Sequence, residues 1–303
     1  MPEGAHRCVA ELPGRGWRIG MIAVTGGTGL TGRFVLERLA GRKVRCLVRP
    51  TSDLAGMPDG LEFVLGDCRD VSSLGPLVRG ASVVVHIAGI STSANVVEAC
   101  RAYEVDRLIV IGSTGIYSKH RTGIDLRLSW EDGVRSSGLR YTLIRPTMIY
   151  GNQRDGNIKR LFQVVKKYPV IPVFGGEVLL QPIYAGDLAS AIVAAVFNDV
   201  AVGKEYNVAG RTPIRYRGIL RLIAEALEKR RVFVDVPYPV AMLGGYIGEL
   251  THSRLISREK VMRLLEDRVF DYSEATRDLG FKPLSFRPGV MLEADALVEA
   301  GVV

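Results

Sequence analysis

Short apolar runs alternate with segments of helical spacing from about residue 20 to about residue 210. The runs are rich in Val, Ile and Leu and predict six strands, at 21–24, 44–48, 61–65, 82–87, 108–111 and 141–144. Continuously apolar runs of this kind are typical of strands that are buried on both faces of a parallel sheet. The segments 30–39 and 95–103 carry apolar residues at helical spacing. This alternation predicts an α/β fold with a doubly wound parallel sheet and right-handed crossovers.

The pattern changes after Gly151. Helices are predicted at 158–167, at 188–197 with Asp187 as N-cap, and at 216–231, and a short strand at 206–208. We therefore expect three parts in the chain. Residues 1–19 form a flexible N-terminal extension, 20–150 the first domain, and 151–303 a smaller, mostly helical lobe in which 177–210 partly returns to the first domain.

A glycine-rich turn follows the first predicted strand and opens the first helix. Its sequence is Val-Thr-Gly-Gly-Thr-Gly-Leu-Thr-Gly, with glycines at Gly26, Gly29 and Gly32 at regular spacing. In such a motif the first glycine allows the tight turn, the second lets the backbone approach a pyrophosphate, and the third lets the helix pack close to the strand. The amides at the helix start then face the phosphates. The segment therefore predicts a dinucleotide site.

The spacing of these glycines after Thr25 resembles the extended and atypical short-chain dehydrogenases/reductases, a superfamily that includes epimerase- and dehydratase-like proteins. The resemblance continues through Gly66-Asp67, His86-Ile87-Ala88-Gly89, Asn95-Val96, residues 145–151 and residues 270–283. Within the superfamily the chain looks most like the atypical group that contains the nucleotide-binding accessory subunit of respiratory complex I. Residues 162–194 carry that likeness, although the stretch 181–187 also reads as purely architectural, an edge strand followed by a helix cap.

The resemblance implies a Rossmann domain at 20–150 and a substrate lobe behind it. It also implies where a cofactor is bound: Asp67 contacts adenine, the turn at His86 to Gly89 lies over the cofactor, and the backbone after the sixth strand contacts nicotinamide. The expected cofactor-binding residues are Thr25, Gly26, Thr28, Gly29, Leu30, Gly32, Arg49, Asp67, Cys68, Ala88, Gly89, Ser113, Pro146, Thr147 and Met148.

The end of the second strand favours NADP(H) over NAD(H). NAD-preferring members place an acid there, which accepts hydrogen bonds from the ribose hydroxyls. Here the strand ends in Leu-Val-Arg49-Pro, and the next acid is Asp53. The guanidinium of Arg49 is suited to clamp a 2′-phosphate, with Arg42 and Arg45 as candidate helpers. The alternatives are that Arg49 stacks on adenine or faces water.

The resemblance also implies a catalytic Ser or Thr and a Tyr-x-x-x-Lys pair, in which the lysine lowers the pKa of the tyrosine that trades a proton. Ser113 matches the serine position. Counted back from Arg145, with Glu131 as the usual acid, the lysine position falls on Arg127 and the tyrosine position on Gly123. The remaining candidates are Tyr117, which also matches a structural tyrosine of the family, and Lys119. The chain therefore departs from the family pattern at the Tyr and Lys positions, and whether it carries out ordinary epimerase or dehydratase chemistry is an open question.

The charge distribution and the cysteines indicate which kinds of ligand and partner the protein is expected to have. The formal net charge is +8, but it is spread along the chain, with only short clusters at Lys166-Lys167 and at 229–231. We therefore expect no nucleic-acid partner. No apolar run approaches the ~20 residues of a membrane span. The four cysteines fit neither a metal site nor a redox pair, which predicts free thiols in a reducing cytoplasm and no metal.

Three functions fit these patterns. The first is an NADP(H)-dependent oxidoreductase or nucleotide-sugar epimerase/dehydratase-like enzyme that acts on a small molecule or nucleotide sugar. The second is a non-catalytic NADP(H)-binding redox sensor or accessory subunit, which the missing Tyr/Lys pair favours. The third is a nucleotide-sugar binder without turnover. For any of them we expect a monomer or homodimer.

Overall fold

The computed structural model describes residues 19–250 and 258–303. Its centre is a seven-stranded, all-parallel sheet in the order β3-β2-β1-β4-β5-β6-β11. These strands are β1 Met21–Thr25, β2 Val44–Val48, β3 Leu61–Leu65, β4 Ala81–His86, β5 Arg107–Ile111, β6 Arg140–Pro146 and β11 Lys204–Val208. The chain winds outward from β1 to β3 and then returns to start again at β4, so the sheet is doubly wound.

Helices cover both faces of this sheet. On one face, α1 (Leu30–Arg38), α6 (Ala185–Val196) and α10 (Ser273–Leu279) pack on one hydrophobic core cluster. On the other face, α2 (Gly75–Val78), α3 (Ser93–Ala102) and α4 (Ile124–Arg135) pack on a second. Successive side chains along the central strands point alternately into one cluster and the other.

A third core lies outside the central sheet. It is built from α5 (Ile158–Lys167), α7 (Tyr216–Ala226), α11 (Phe286–Glu299) and β8 (Val170–Val173). Three two-stranded sheets complete this lobe, formed by the pairs β10–β7, β12–β9 and β13–β8. The remaining elements are β7 Ile149–Tyr150, β9 Leu179–Leu180, β10 Ile183–Tyr184, β12 Ile214–Arg215, β13 Val232–Asp235, α8 Tyr238–Leu250 and α9 Arg258–Arg263.

The predicted α/β doubly wound fold with a smaller second lobe is confirmed, but three local expectations are wrong. The apolar run of the edge strand β3 predicts burial on both faces, but Phe63 is 40% and Leu65 is 70% exposed. The helix after residue 216 ends at Ala226, five residues early. Asp187 is not an N-cap, because α6 begins at Ala185; its carboxylate instead accepts a hydrogen bond from Leu284 N at 2.8 Å, which ties α6 to the C-terminal segment.

Two expectations fall partly outside the described residues. The N-terminal extension 1–19 and Cys8 lie there, except for residue 19. Cys46, Cys68 and Cys100 are buried free thiols, as predicted. Within the part of the chain that the structure describes, no helix is both long and apolar enough to cross a bilayer. The domain boundaries themselves stay a prediction.

Candidate cofactor site

The glycine turn lies at the point where the strand order reverses, between the carboxyl ends of β1 and β4. Ligands of open α/β sheets bind in this crevice. Gly26 has a φ of +73°, and a Cβ at this position would lie 2.7 Å from Ala88 N. The turns after β1 and β4 therefore touch backbone to backbone, and only glycine fits at their contact.

Gly32 sets how closely α1 approaches the turn. A Cβ at this position would lie 2.5 Å from Gly27 Cα, far inside van der Waals contact. Gly29 stands at the N-cap of α1 and donates its amide to Gly26 O at 3.1 Å. The amides of the first helical turn are consequently held at the floor of the crevice, where they can face an anion.

A buried histidine joins the two strands beneath the turn. His86 Nε2 lies 3.0 Å from Gly89 O, which can only accept, so this nitrogen carries the proton. His86 Nδ1 is then free to accept from the Thr25 hydroxyl at 2.7 Å. Burial lowers the pKa of His86 to about 4, so the ring is neutral. Thr25 is fully buried, so it supports the turn from beneath instead of lining the crevice.

A cleft of about 820 Å³ opens above the turn. Nine of the residues expected to bind the cofactor line it, together with polar residues of two loops. The expected residues in its wall are Gly26, Thr28, Gly29, Leu30, Gly32, Arg49, Asp67, Cys68 and Ala88. Its volume lies within the usual range of ligand pockets, about 300–1,000 Å³.

One end of the cleft is rich in charge. Arg49 is exposed there beside the hydroxyl residues Thr51 and Ser52, and Ser52 Oγ accepts from Arg49 N at 3.0 Å. Asp67 pairs with Arg69 at 2.7 Å, which lowers the pKa of this carboxyl to about 2. Among the described residues, no carboxylate forms an ion pair with the Arg49 guanidinium, so it is available to an anionic ligand.

The loop after β7 forms the opposite wall. Arg154 reaches across and pairs with Asp53, and Asp155, which is 1% exposed, accepts the amides of Asn157 and Lys159 at 2.8 Å each. These contacts hold the start of α5 against the Rossmann domain. The cleft is therefore built by both lobes.

A second pocket of about 250 Å³ adjoins the cleft, because Thr31, Ile87 and Ile149 line both. Ser113, Arg127, Glu131 and Gly89 lie in its wall. Ser113 Oγ accepts a hydrogen bond from Gly115 N at 3.0 Å, and its hydroxyl donates to no group among the described residues. Arg127 has no carboxylate partner among the described residues, and its guanidinium lies 6.0 Å from the centre of the Trp130 ring.

Glu131 fixes the base of this pocket. It is 1% exposed and accepts hydrogen bonds from Arg145 at 2.6 Å and from Arg135 at 3.1 Å. Glu205 on β11 binds both arginines as well. Burial by itself would lower the pKa of Arg145, but its hydrogen bonds to Glu131 and Glu205 raise it. This charged network ties α4 to β6 and β11, and Glu131 is not available as a free catalytic acid.

Two of the three catalytic candidates lie outside the pocket that holds Ser113. The Tyr117 hydroxyl is 3.3 Å from Asn207 Oδ1, and its ring contacts Phe270 with centroids 5.6 Å apart. Lys119 is exposed, and its amide donates to Glu266 Oε1 at 2.6 Å. Neither Tyr117 nor Lys119 lines the pocket, so this geometry does not favour their catalytic role, which stays a prediction.

The residues expected at nicotinamide are engaged by the protein. Pro146 O accepts from the Thr114 hydroxyl at 3.1 Å, and the Thr147 hydroxyl donates to Gln181 O at 2.5 Å. Met148 packs against the core of the second lobe. The neighbouring Ile149 lines both the cleft and the pocket.

Four groups of the site carry no strong sequence signal. Thr51, Ser52, Arg69 and Arg154 lie on irregular loops, where no period of apolar residues marks a position. Arg127 differs from these four residues, because the sequence does mark its position: it aligns with the lysine that the resemblance implies. The structure places it in the pocket with Ser113.

The site fits a dinucleotide. The close backbone contacts at Gly26 and Gly32, the amides at the start of α1 and the adjoining cleft and pocket suit a ligand with a pyrophosphate at its centre. Ser113 and Arg127 lie in the wall of the pocket, and Arg49 lies in the wall of the cleft. Fold and site together define a Rossmann-type dinucleotide-binding protein of the extended or atypical short-chain dehydrogenase/reductase class.

Comparison with known proteins agrees with this class. A family described as NAD(P)H-binding matches residues 26–199, more than half of the chain, and the chain belongs to this family. It is 23% identical to short-chain dehydrogenase/reductase family 42E member 1 of Xenopus laevis, over 88% of this chain and 85% of the relative. It is also 23% identical to the 40 kDa NADH-ubiquinone oxidoreductase subunit of Neurospora crassa, over 86% of this chain and 75% of that subunit.

A solved structure shows the same fold. UDP-glucose 4-epimerase from Thermus thermophilus, in complex with NAD, superposes with a TM-score of 0.69 over 92% of this chain and 99% of the epimerase, at 22% identity. The resemblance to the extended and atypical dehydrogenases/reductases is confirmed, including the likeness to complex I subunits.

Proposed function

We propose that this protein binds NADP(H) in preference to NAD(H) and acts as an oxidoreductase on a carbonyl or alcohol substrate. The observation that carries the cofactor preference is Arg49. It stands at the end of β2, beside two hydroxyl side chains, and no carboxylate of the described chain forms an ion pair with it. A guanidinium and hydroxyls in this arrangement suit a phosphate monoester such as the 2′-phosphate.

Isothermal titration of NADPH and NADH tests this preference. Wild type is expected to bind NADPH at least about tenfold more tightly, since charge-assisted hydrogen bonds contribute about 1.5–3 kcal/mol. Arg49→Ala removes this difference and leaves NADH affinity nearly unchanged. Lys43→Ala, an exposed cation at the opposite end of the same strand, is the matched control. Equal affinities in wild type would overturn the preference, and absence of any binding would overturn the cofactor site.

The pocket beside the cleft supports hydride-transfer chemistry. A bound nicotinamide supplies the hydride. The Ser113 hydroxyl donates to no group among the described residues, and its place in the pocket suits donation to a substrate oxygen. Arg127 carries a guanidinium, a group that proteins do not use to trade protons. It is suited to hold an anionic part of the substrate, such as a carboxylate or a phosphate.

A second function is favoured by one observation. The wall of the Ser113 pocket contains neither a tyrosine nor a lysine among the described residues. A protein that binds NADP(H) without turnover, as a redox sensor or accessory subunit, would carry this feature. A screen of carbonyl compounds and UDP-sugars for substrate-dependent change in NADPH absorbance decides between the two. Turnover supports the enzyme; tight NADPH binding without turnover across the panel supports the second function.

A further inference from the structure

Two short basic clusters that are far apart in the sequence converge at one edge of the second lobe. Strands β8 and β13 pair in parallel, with Val170 opposite Val232, so both strands begin at the same edge. Lys166 and Lys167 end the helix before β8, and residues 229–231 precede β13. The resulting edge carries five cations, with Glu228 beside them.

Arg231 connects the two basic clusters through hydrogen bonds. Its guanidinium donates to Val165 O at 2.6 Å and to Lys166 O at 3.0 Å, the last carbonyls of α5. The other four cations remain exposed. The backbone positions of the two clusters relative to each other are therefore fixed by the fold.

The outer face of the same two-stranded sheet is apolar. Along β8 and β13 the side chains alternate: Ile171 and Val173 are buried in the lobe core, whereas Val170, Val232 and Val234 are 52%, 58% and 49% exposed. Pro172, also exposed, is paired with Val234 in register. No described residue covers this face with a third layer. Large exposed apolar surfaces of this kind mark interaction sites.

The helix that follows β13 extends the apolar character. Tyr238, Val240 and Leu243 of α8 are 49%, 58% and 59% exposed. Tyr238 also contacts Phe174, at the end of β8, with ring centroids 6.4 Å apart. Tyrosine, with its apolar ring and polar hydroxyl, is favoured at the boundary between membrane and water.

We propose that this basic–apolar face, defined by Lys166, Lys167, Lys229, Arg230, Val170 and Val232, docks on the surface of an anionic lipid bilayer. Cations along an edge bind headgroup phosphates, and the adjoining valines enter the interfacial layer. A nucleic acid would use the cations but not the valines, and a partner protein with the same complementarity would need an acidic rim around an apolar patch. Binding of this kind lies on the membrane and needs no spanning helix.

Vesicle co-sedimentation of the full chain tests the proposal. Wild type is expected to bind vesicles that contain about two thirds phosphatidylcholine and one third phosphatidylglycerol, and high salt is expected to release it. Lys229→Glu with Arg230→Glu is expected to lower the affinity at least about tenfold, since each cation near such a surface contributes about a fivefold effect. Val170→Ser with Val232→Ser is expected to weaken binding at every salt concentration at which wild type still binds.

Matched controls lie elsewhere on the molecule. Lys43→Glu with Lys282→Glu reverses two exposed lysines beside the Rossmann core, and Val200→Ser with Val298→Ser replaces valines that are 54% and 60% exposed. Both controls are expected to bind vesicles as wild type does, and unchanged circular dichroism shows that all variants fold. Absence of vesicle binding, or equal losses in test and control variants, overturns the proposal. A further outcome is that wild type forms a dimer but binds no vesicles, and that only Val170→Ser with Val232→Ser makes it monomeric. This outcome assigns the face to a second copy of the chain and overturns the proposal as well.

Discussion

At the scale of single residues, the pocket beside the cleft separates two candidates for proton transfer. Ser113 lines the pocket and its hydroxyl donates to no group among the described residues, whereas the Tyr117 hydroxyl is 3.3 Å from Asn207 Oδ1 and its ring contacts Phe270. Arg127 takes the position where the family resemblance implies a lysine. Since the wall of this pocket contains no tyrosine among the described residues, the usual lowering of a tyrosine pKa by a neighbouring lysine has no counterpart here.

We therefore expect Ser113→Ala to lower kcat/KM at least about a hundredfold, the usual effect of removing one hydrogen bond to the charge that develops on a substrate oxygen. Tyr117→Phe is the matched control, because it also removes one hydroxyl, and it is expected to stay within about twofold of wild type. The measurement is steady-state NADPH consumption with the substrate found by the carbonyl screen. A loss confined to Tyr117→Phe would return the proton donor to Tyr117.

At the scale of secondary structure elements, the glycine turn is the feature that sequence and structure share most fully. The strand β1, the turn and α1 occur where the pattern predicts them, because apolar period and glycine spacing are local signals. The helix from residue 216 ends early for a tertiary reason: Arg231 binds the end of α5, and β13 starts at Val232. Asp187 lies inside α6, which begins at Ala185, and accepts a hydrogen bond from Leu284, almost a hundred residues later.

The close approach of α1 to the turn leads to an element-scale prediction. Gly32→Ala would place a methyl group against Gly27 Cα and is expected to cost about 1–3 kcal/mol of unfolding free energy and to abolish NADPH binding. Gly133→Ala, at a helix position of α4 with open space, is expected to stabilise by up to about 1 kcal/mol, because alanine favours helix. Urea unfolding and NADPH titration of both variants provide the measurement.

The two substitutions are matched, since each adds one methyl group to a helical glycine. Opposite signs would show that the loss at Gly32 comes from the contact between α1 and the turn. If Gly32→Ala kept both stability and NADPH affinity, the helix would have room to move, and the turn would not hold its amides at the fixed position that the cofactor site requires.

At the scale of the whole molecule, three cores and one buried histidine hold the chain together. The Rossmann sheet has a core on each face, and the second lobe has its own. His86 lies at the centre of the sheet, where it links β1 to the turn after β4. Its burial makes global stability depend on pH.

Because burial lowers the pKa of His86 to about 4 in the folded chain, the unfolded chain binds its proton first as the pH falls. The contribution to stability is therefore complete above the ordinary histidine pKa of about 6.5 and is lost between about 6.5 and 4. We expect a loss on the order of 3 kcal/mol over this interval, measured by denaturant unfolding at several pH values.

His86→Gln is expected to be less stable at neutral pH but to lack this component of the pH dependence. Carboxylates titrate both in wild type and in His86→Gln, and their contribution cancels in the comparison. A wild-type slope in His86→Gln would mean that another group causes the acid loss of stability.

The sequence by itself determined the features that depend on neighbours along the chain. The alternation of strands and helices, the glycine turn and the missing acid at the end of β2 were all readable, because each is set by local period, backbone conformation or residue type. The same holds for the family resemblance, which rests on short motifs in a fixed order.

Only the tertiary structure decided what lies beside what. It put Arg127 into one pocket with Ser113, buried Glu131 under Arg145, closed the cleft with Arg154 of the second lobe, and joined two basic clusters beside an uncovered apolar sheet face. These relations link residues that are distant in the chain. Their cause is the burial of apolar side chains in three cores, which is a property of the whole fold and leaves no pattern at the individual positions.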